Sequence, residues 1–490
     1  MKKIWLLLLL SSLTGMAQQF SWSEEPTAVQ DESAFQISRF FTGRLFVVKT
    51  KYNMETFNKD VFVDILDPRD DFEKDTMNLS VEQPLMGLNM STLLEIFPLT
   101  DRDYVFFQSE FDRNTKSTTL SWLKANMDTG KKSKLEAITS MPGKNAVNPG
   151  NMFVAQSPGK THYAVLKEPS YDKKVNQKIT FALLDKNYKV LKEKEYEFPF
   201  SSKQSGNHEM FVSDAGIVYL VKEIDLPKMK PYKSVYIWNP ATDAVTEQTL
   251  KLDNDWQIHQ IKGNFNNDEF YLYGLYTDAG SRNFQFRASF NGSSGVTSLG
   301  IMVAKFGTDG LKKYMMLNDT GRISDLNIKD FVPAGDKTWA LLDRLNANGK
   351  RRPLNQTNMQ IIYDYTYTDQ GIEIGMIDNA TGKLDWRNSI KVDRPATVND
   401  NGNLHSYMYF IGNDGIDIIY NQYQGQNLSQ LPVLKRYSKS GQLTGTTNIP
   451  GMLPQKYSLD TSMAVKMPDG KYIVRAKLGN SRAVYGFLNF

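Results

Sequence analysis

The chain has 490 residues, of which 40% are hydrophobic and 12% aromatic, so it can bury a large core and intrinsic disorder is excluded. It contains no cysteine, which excludes disulfides, thiolate metal sites and cysteine nucleophiles. The formal charge is only +4, and it falls to +2 without Lys2 and Lys3, so nucleic acid is not expected as a partner.

Residues 1–17 have the pattern of a secretory signal peptide. Residues 1–3 form a basic start, residues 4–10 an apolar run, and residues 15–17 a cleavage site with small side chains. The apolar run is too short to span the ~30 Å hydrocarbon core of a membrane, and no later stretch approaches the ~20 apolar residues of a spanning helix. We therefore expect an exported protein that is periplasmic, associated with the outer surface or secreted, with residues 18–490 as a single domain and no transmembrane segment.

Tight turns between apolar strands recur along the rest of the chain, and their Gly, Asp, Asn and Pro residues are typical of β-hairpins. Eight such turns lie at residues 42–43, 101–103, 158–160, 214–216, 266–268, 335–337, 413–415 and 468–470. Seven further turns alternate with them, at residues 67–68, 128–130, 185–187, 239–243, 308–310, 378–382 and 438–441. Two hairpins per repeat predict a four-stranded antiparallel unit, which is the blade of a β-propeller.

The last repeat has no second turn of this kind, so it supplies only three strands of its own. Closing the ring would remove the exposed strand edges, and we expect the missing strand to come from residues 20–23. The sequence therefore predicts an all-β protein, a single β-propeller of eight four-stranded blades. Seven blades are the alternative if the first hairpin is an appendage. Over nearly its whole length the chain resembles exported bacterial β-propeller proteins, a resemblance that implies no particular function.

One segment, residues 378–386, resembles the repeats of quinoprotein propellers. Asp378, Thr381, Gly382, Lys383 and Trp386 carry the resemblance. The pattern occurs once, so we interpret it as the residues of a tight turn followed by one packed tryptophan ring. No cofactor is expected.

Two connections between second and third strands are longer than the rest, at residues 277–300 in blade 5 and 344–360 in blade 6. The candidate binding residues on or beside them are Phe284, Phe286, Arg351, Arg352, Tyr363, Tyr365 and Tyr367. Aromatic rings beside arginines suit recognition of a protein, peptide or glycan. The alternative is that the tyrosines pack between blades and that the arginines are simply solvated.

Histidine is scarce, and three of the four histidines precede or begin the first strands of blades. His208, His259 and His405 do so in blades 4, 5 and 7, and Asp330 has a comparable position in blade 6. These strand starts converge on one mouth of the central channel, on the face that we call the top. In a shared pocket, the imidazoles and carboxylates could bind a metal or transfer protons. No spacing motif supports either use, and the sequence predicts no metal site. The alternative is that a channel mouth is polar in any case.

Acidic residues also recur near the ends of second strands, at Glu110, Glu168, Glu223, Asp278 and Asp343. We expect them to be strand-ending residues in water. The alternative is that they form an acidic rim on the top face.

These patterns favour a binding or scaffold protein of the bacterial envelope over an enzyme. Such a protein, expected to be a monomer, would recognise a protein, peptide or glycan through its top face and the long loops of blades 5 and 6. The alternative is a hydrolase or lyase that acts on an extracellular glycan or other polymer, with His208, His259, Asp330 and His405 as candidate catalytic residues.

Overall fold

The structure is a computed structural model. The residues that it describes are 19–23, 27–28, 36–41, 43–53, 58–78, 89–100, 102–227, 229–252, 254, 256–266, 269–278, 296–307, 312–351, 363–392, 397–398, 406–424, 429–449, 457–478 and 482–489. Their regular elements are strands and one short 3₁₀ turn, Ser202–Gln204. None of these residues belongs to a helix with the length and apolar character that a membrane crossing requires.

The strands form eight antiparallel sheets, and each sheet is one blade. The chain begins with β1 (Gln19–Trp22) and β2 (Thr27–Ala28). Blade 1 has β3 (Gln36–Phe41), β4 (Arg44–Asn53), β5 (Asn58–Asp67) and β6 (Glu73–Asn78). Blade 2 has β7 (Asn89–Pro98), β8 (Asp103–Asp112), β9 (Ser117–Asn126) and β10 (Glu136–Pro142). Blade 3 has β11 (Asn151–Gln156), β12 (His162–Glu168), β13 (Asn176–Asp185) and β14 (Val190–Ser201). Blade 4 has β15 (Ser205–Val212), β16 (Val218–Ile224), β17 (Tyr232–Asn239) and β18 (Ala244–Thr249).

The second half of the chain repeats this arrangement. Blade 5 has β19 (Gln257–Asn266), β20 (Glu269–Thr277), β21 (Thr297–Phe306) and β22 (Lys312–Ser324). Blade 6 has β23 (Leu326–Ala334), β24 (Lys337–Arg351), β25 (Tyr363–Asp378) and β26 (Leu384–Ile390), with the short β27 (Thr397–Val398) beside β25. Blade 7 has β28 (Tyr407–Ile411), β29 (Gly415–Gln424), β30 (Ser429–Ser438) and β31 (Leu443–Asn448). Blade 8 has β32 (Ser458–Lys466), β33 (Tyr472–Leu478), β34 (Arg482–Asn489) and β1, and β2 also pairs with β34.

The blades are arranged as a ring. The first strands of neighbouring blades contact one another at several junctions, including β7 with β11, β11 with β15, and β19 with β23. On the far side of the ring, β28 contacts β32 and β32 contacts β3. The fold is therefore an eight-bladed β-propeller whose first strands surround the channel, as expected from the turns. The hairpin of β3 and β4 belongs to a complete blade, so the seven-bladed alternative is wrong.

The hydrophobic core of the described residues is divided among the junctions between blades. Val218 and Leu220 of β16 pack in the cluster shared with blade 3, whereas Tyr219 and Val221 pack in the cluster shared with blade 5. Comparable clusters lie at all eight junctions. Because both faces of a second strand are buried, these strands contain continuous apolar runs, such as residues 218–221 of β16, rather than an alternating pattern.

The ring closes through β1, as expected. Gln19 pairs with Asn489 and Trp22 pairs with Gly486, which places β1 at the outer edge of blade 8. Phe20 is buried at the junction of blades 7 and 8 and stacks on Trp22 with ring centroids 5.2 Å apart. The expected strand at residues 20–23 thus lies one residue earlier in the structure.

The quinoprotein-like segment of blade 6 forms a tight turn and one inter-blade contact. Asp378 Oδ1 accepts a hydrogen bond from the Thr381 amide at 2.7 Å, and Gly382 has a φ of +71°, which glycine adopts without strain. Trp386 Nε1 donates to the Lys439 carbonyl of blade 7 at 2.9 Å, and its ring faces Gly441. The indole therefore docks blade 6 on blade 7.

The long connection expected at residues 344–360 of blade 6 is partly strand. Strand β24 continues to Arg351 and pairs with β25 along its whole length, with a register shift after Arg344. Leu345 N also donates to the Asp325 carbonyl at 3.1 Å. The ladder satisfies the backbone of a polar, glycine-containing segment that has a low strand propensity of its own, which is why the sequence suggested a loop.

Candidate functional site

The structure describes three of the four residues that the sequence placed at the channel mouth. His208 lies in β15, His259 in β19 and Asp330 in β23, each on the first strand of its blade. His405 lies outside the described residues. Among the described residues, no group of three or more His, Asp or Glu side chains is placed to hold a metal ion. A pocket shared by these four residues stays a prediction.

His259 and Asp330 have separate hydrogen-bond partners. His259 is buried, and its Nε2 lies 2.8 Å from Ser298 Oγ of the same blade. Burial lowers the pKa of His259 to about 3, with Lys233 acting in the same direction, so the imidazole is neutral. Asp330 Oδ2 accepts a hydrogen bond from the Tyr409 hydroxyl of blade 7 at 2.7 Å.

The candidate binding residues of blades 5 and 6 lie mostly outside the described part of the chain. This holds for Phe284, Phe286 and Arg352. For Arg351, Tyr363, Tyr365 and Tyr367 the structure gives the backbone only: Arg351 ends β24, opposite Tyr363 of β25. The tyrosines occupy alternate positions of β25. Their role in binding stays a prediction.

A cleft lies between blades 3 and 4, in a different part of the top face. This cleft, which we call the His208 cleft, has a volume of about 530 Å³. Its lining includes Phe153, Glu168, Tyr171, Gln177 and His208. It lies where the connection from blade 2 to blade 3, the β12–β13 connection and the turn before β15 meet.

Two loops of this cleft are fastened to each other by one side chain. Asn148 Oδ1 accepts a hydrogen bond from the Tyr171 amide at 2.8 Å, and Asn148 Nδ2 donates to the Tyr171 carbonyl at 3.0 Å. Ser170 Oγ also donates to the Asn148 carbonyl at 2.7 Å. Gly150 follows with a φ of +82°, and a Cβ there would lie 2.8 Å from the Glu168 carbonyl. The backbone of Tyr171 is thus held by two hydrogen bonds from the Asn148 side chain.

Under the cleft lies a buried ion pair that joins blades 3 and 4. Glu168 Oε1 lies 3.1 Å from Lys222 Nζ, and Lys222 is fully buried. The same oxygen lies 3.7 Å from His208 Nδ1 and accepts a hydrogen bond from Gln177 Nε2 at 3.3 Å. Glu168 thus connects the second strand of blade 3 with two strands of blade 4.

The burial of Glu168 corrects the expectation that the acids of the second strands lie in water. Asp343 is buried as well, and it accepts a hydrogen bond from Ser406 Oγ of blade 7 at 3.0 Å. The ends of these strands lie between neighbouring blades, which supply the cations and hydroxyls that a buried carboxylate requires.

His208 is neutral and keeps one nitrogen without a partner. Burial lowers the pKa of His208 below 6.5, an effect that Glu168 opposes and Lys222 reinforces. The His208 side chain is 10% exposed, and its Nε2 has no hydrogen-bond partner among the described residues. The Phe153 ring meets the imidazole edge to face, with centroids 4.3 Å apart. The imidazole therefore offers an unused hydrogen-bonding atom beneath an aromatic ring.

The exposed part of the cleft is aromatic and amide-rich. Phe153 is 37% exposed and Tyr171 is 52% exposed, and both line the same cleft. Asn151 and Asn207 contribute amide groups to the same lining. The single carboxylate there, Glu168, already has three partners, so the surface offers rings and neutral hydrogen-bonding groups.

A second cleft lies beside the first, on the other side of the turn Ser202–Gln204. Its volume is about 870 Å³, and its lining includes Lys173, Lys174, Lys203 and Asp225. We call it the lysine cleft. Both clefts lie on the top face, because the β12–β13 connection contributes to each of them.

The ion pair predicts a large loss of stability for Glu168→Gln. The amide keeps the shape of the side chain but leaves Lys222 buried without a counter-charge, which should lower the free energy of unfolding by about 3–5 kcal/mol. Chemical denaturation monitored by tryptophan fluorescence would measure it.

Glu197→Gln is the matched control in the same blade. Glu197 pairs with Lys178 at 3.2 Å, but both side chains are exposed, so its loss should cost about 0–1 kcal/mol. Equal effects of the two substitutions would show that Glu168 does not stabilise the blade 3–4 junction.

The chain has distant similarity to several solved structures. No protein-family model matches the chain, and no curated protein sequence matches it. Among solved structures, the β-propeller domain of the Trilobed protease from Pyrococcus furiosus is 11% identical, with a TM-score of 0.34 over 89% of this chain and 96% of that one. Polysaccharide lyase Uly1 is 11% identical, with a TM-score of 0.31 over 80% of this chain and 88% of that one.

A Pyrococcus horikoshii acylaminoacyl peptidase is 10% identical, with a TM-score of 0.34 over 92% of this chain and 58% of that one.

Proposed function

We propose that this protein is a non-catalytic glycan-binding propeller of the bacterial envelope, and that its top face holds the glycan in the His208 cleft. The observation that carries the proposal is the pair of exposed rings, Phe153 and Tyr171, on a lining of neutral amides. Aromatic faces pack against the apolar faces of sugar rings, and amide groups form hydrogen bonds with sugar hydroxyls. The signal-like residues 1–17 support a location outside the cytoplasm.

The lining favours a glycan over a protein partner. A protein interface of standard size buries about 800 Å² on each side around a desolvated apolar centre. The exposed hydrophobic side chains here, Val147, Phe153, Tyr171 and Val175, are separated by polar groups such as Asn148 and Gln177. Sugars present hydroxyls and small apolar faces in alternation, which this surface matches better.

Binding also fits the site better than catalysis. A general base must come within hydrogen-bonding distance of the reacting atom. His208 Nε2 is closed off from solvent under the Phe153 ring, so a substrate atom reaches it only after that ring turns away. The hydrolase or lyase alternative would require such a movement.

The test is binding of a polysaccharide panel by wild type and by the double variant Phe153→Ala/Tyr171→Ala. Dextran, xylan, polygalacturonate and dextran sulfate are suitable probes, with affinity electrophoresis as the first measurement and titration calorimetry as the second. We expect wild type to bind at least one of these polysaccharides. The affinity of the double variant for it should be lower by at least about tenfold, because two ring contacts are lost.

Leu191→Ala/Leu443→Ala is the matched control, since both leucines are 52% exposed and lie on β14 and β31, away from the cleft lining. Wild-type binding by the aromatic double variant would contradict the proposal. Release of shortened or unsaturated products from any bound polymer would establish the enzyme alternative instead.

A further inference from the structure

The lysine cleft carries a local excess of positive charge on a chain that is nearly neutral overall. Lys173, Lys174 and Lys203 are exposed on its lining, where Asp225 is the carboxylate. By contrast, the formal charge of all 490 residues is only +4. Clustered charge of one sign in a cleft raises the local concentration of ligands of the opposite sign.

These three ammonium groups form no ion pair with a described residue. Lysines on the outer strand of the same blade behave differently, since Lys192 and Lys194 both pair with Asp243, at 3.4 Å and 2.8 Å. Three cations that line one cleft and have no counter-charge among the described residues can take their counter-charges from a ligand.

The ridge between the two clefts is fixed to both blades. In the turn Ser202–Gln204, the Gln204 side-chain oxygen accepts a hydrogen bond from the Ser201 amide at 3.0 Å. The Gln204 carbonyl accepts one from the Asp225 amide of blade 4 at 2.9 Å. Because this turn is held at both ends, the boundary between the two clefts has a fixed position, and a ligand that contacts both clefts must cross it.

We infer that the lysine cleft selects anionic glycans, whose carboxylate or sulfate groups lie against Lys173, Lys174 and Lys203 while a neighbouring sugar ring lies in the His208 cleft. This inference rests on the proposed function and specifies the ligand class. An acidic peptide would satisfy the lysines, but it would leave the exposed rings of Phe153 and Tyr171 in the adjoining cleft without matching groups.

The experiment compares charged and neutral forms of the same polymer. Titration calorimetry would use polygalacturonate against its fully methyl-esterified form, and dextran sulfate against dextran, so that carboxylate and sulfate are tested separately. We expect the charged form of at least one pair to bind about tenfold more tightly at low salt, and the difference to shrink in about 0.5 M NaCl because the lysines are exposed.

The triple variant Lys173→Gln/Lys174→Gln/Lys203→Gln should lose this difference while it retains its affinity for the neutral form. The control variant Lys131→Gln/Lys132→Gln/Lys134→Gln removes the same charge from the exposed β9–β10 connection and should bind as wild type does.

The possible results separate the two proposals. If wild type binds both forms equally, or if the triple variant keeps the full preference, the inference is overturned while glycan binding stands. If poly-L-glutamate binds more tightly than polygalacturonate and dextran sulfate, the ligand class is wrong. Loss of all binding in Phe153→Ala/Tyr171→Ala together with loss of charge preference in the triple variant supports both.

Discussion

Replacing Asp460 by asparagine is expected to lower the free energy of unfolding by at least about 3–5 kcal/mol, because two buried cations lose their counter-charge. Asp460 in β32 is fully buried, and its Oδ2 lies 2.7 Å from Arg475 and 3.2 Å from Lys477 of β33. Its Oδ1 accepts hydrogen bonds from the Ser462 amide and hydroxyl, within a bulge of β32. Thermal and chemical denaturation would measure the loss.

Asp469→Asn is the matched control in blade 8, since Asp469 pairs with Lys471 at 3.5 Å on the surface and should contribute about 0–1 kcal/mol. Adding Arg475→Gln to Asp460→Asn should recover part of the loss, because most of the cost comes from uncompensated charge. A change below about 1 kcal/mol for Asp460→Asn would contradict the role assigned to this pair.

The same carboxylate predicts a pH dependence. Burial tends to raise the pKa of Asp460, but Arg475 and Lys477 outweigh it and hold the pKa below its usual value of 3.8. A carboxyl group with a lowered pKa contributes stability that is complete above its unfolded pKa and is lost as the pH falls below it. Stability curves measured below about pH 4 should therefore fall less steeply for Asp460→Asn than for wild type.

Replacing Gly486 by valine is expected to detach the closing strand and to cost about 3 kcal/mol or more. Gly486 of β34 lies opposite Trp22 of β1, and a Cβ there would meet the Ser21 carbonyl and lie 2.8 Å from the Trp22 ring. Since backbone is one of the contacts, a side-chain rotation cannot relieve the overlap. Displacement of β1 would also expose Phe20, whose burial is worth several kcal/mol.

Hydrogen exchange of the β1 amides is the direct measurement for Gly486→Val, with thermal denaturation beside it. Gly445→Val is the control, because Gly445 lies on the outer strand β31 and the nearest atom to its Cβ position is 3.9 Å away. Protection of β1 equal to that of wild type would mean that the ring stays closed despite the added side chain.

The fold could be predicted because its signals are local. Turn residues such as Asp214 and Gly216 mark each hairpin, and apolar strands such as β16 reveal burial on both faces. Even the closing strand follows from counting the turns. The continuation of β24 into a polar segment had no such signal, because it depends on pairing with β25.

The His208 cleft was predicted only in part, because its parts come together through contacts between blades. His208 was identified from its strand position, but its neighbour Glu168 is separated from Lys222 by 54 positions in the sequence. One signal was present: Lys222 follows four apolar residues in a second strand, and a lysine in such a place needs a buried partner. Nothing in the sequence pattern indicates that the Asn148 side chain forms hydrogen bonds with the backbone of Tyr171.

The closing strand also sets the order in which the molecule can be completed. Strand β1 leaves the ribosome before every other described strand, and its partner β34 leaves after them, since Gln19 pairs with Asn489. Contacts between residues so distant in sequence form slowly, because a long loop must close first. The blades can form their hairpins during synthesis, but the ring cannot close until β34 has been made, so the earlier blades lack this contact while they are synthesised.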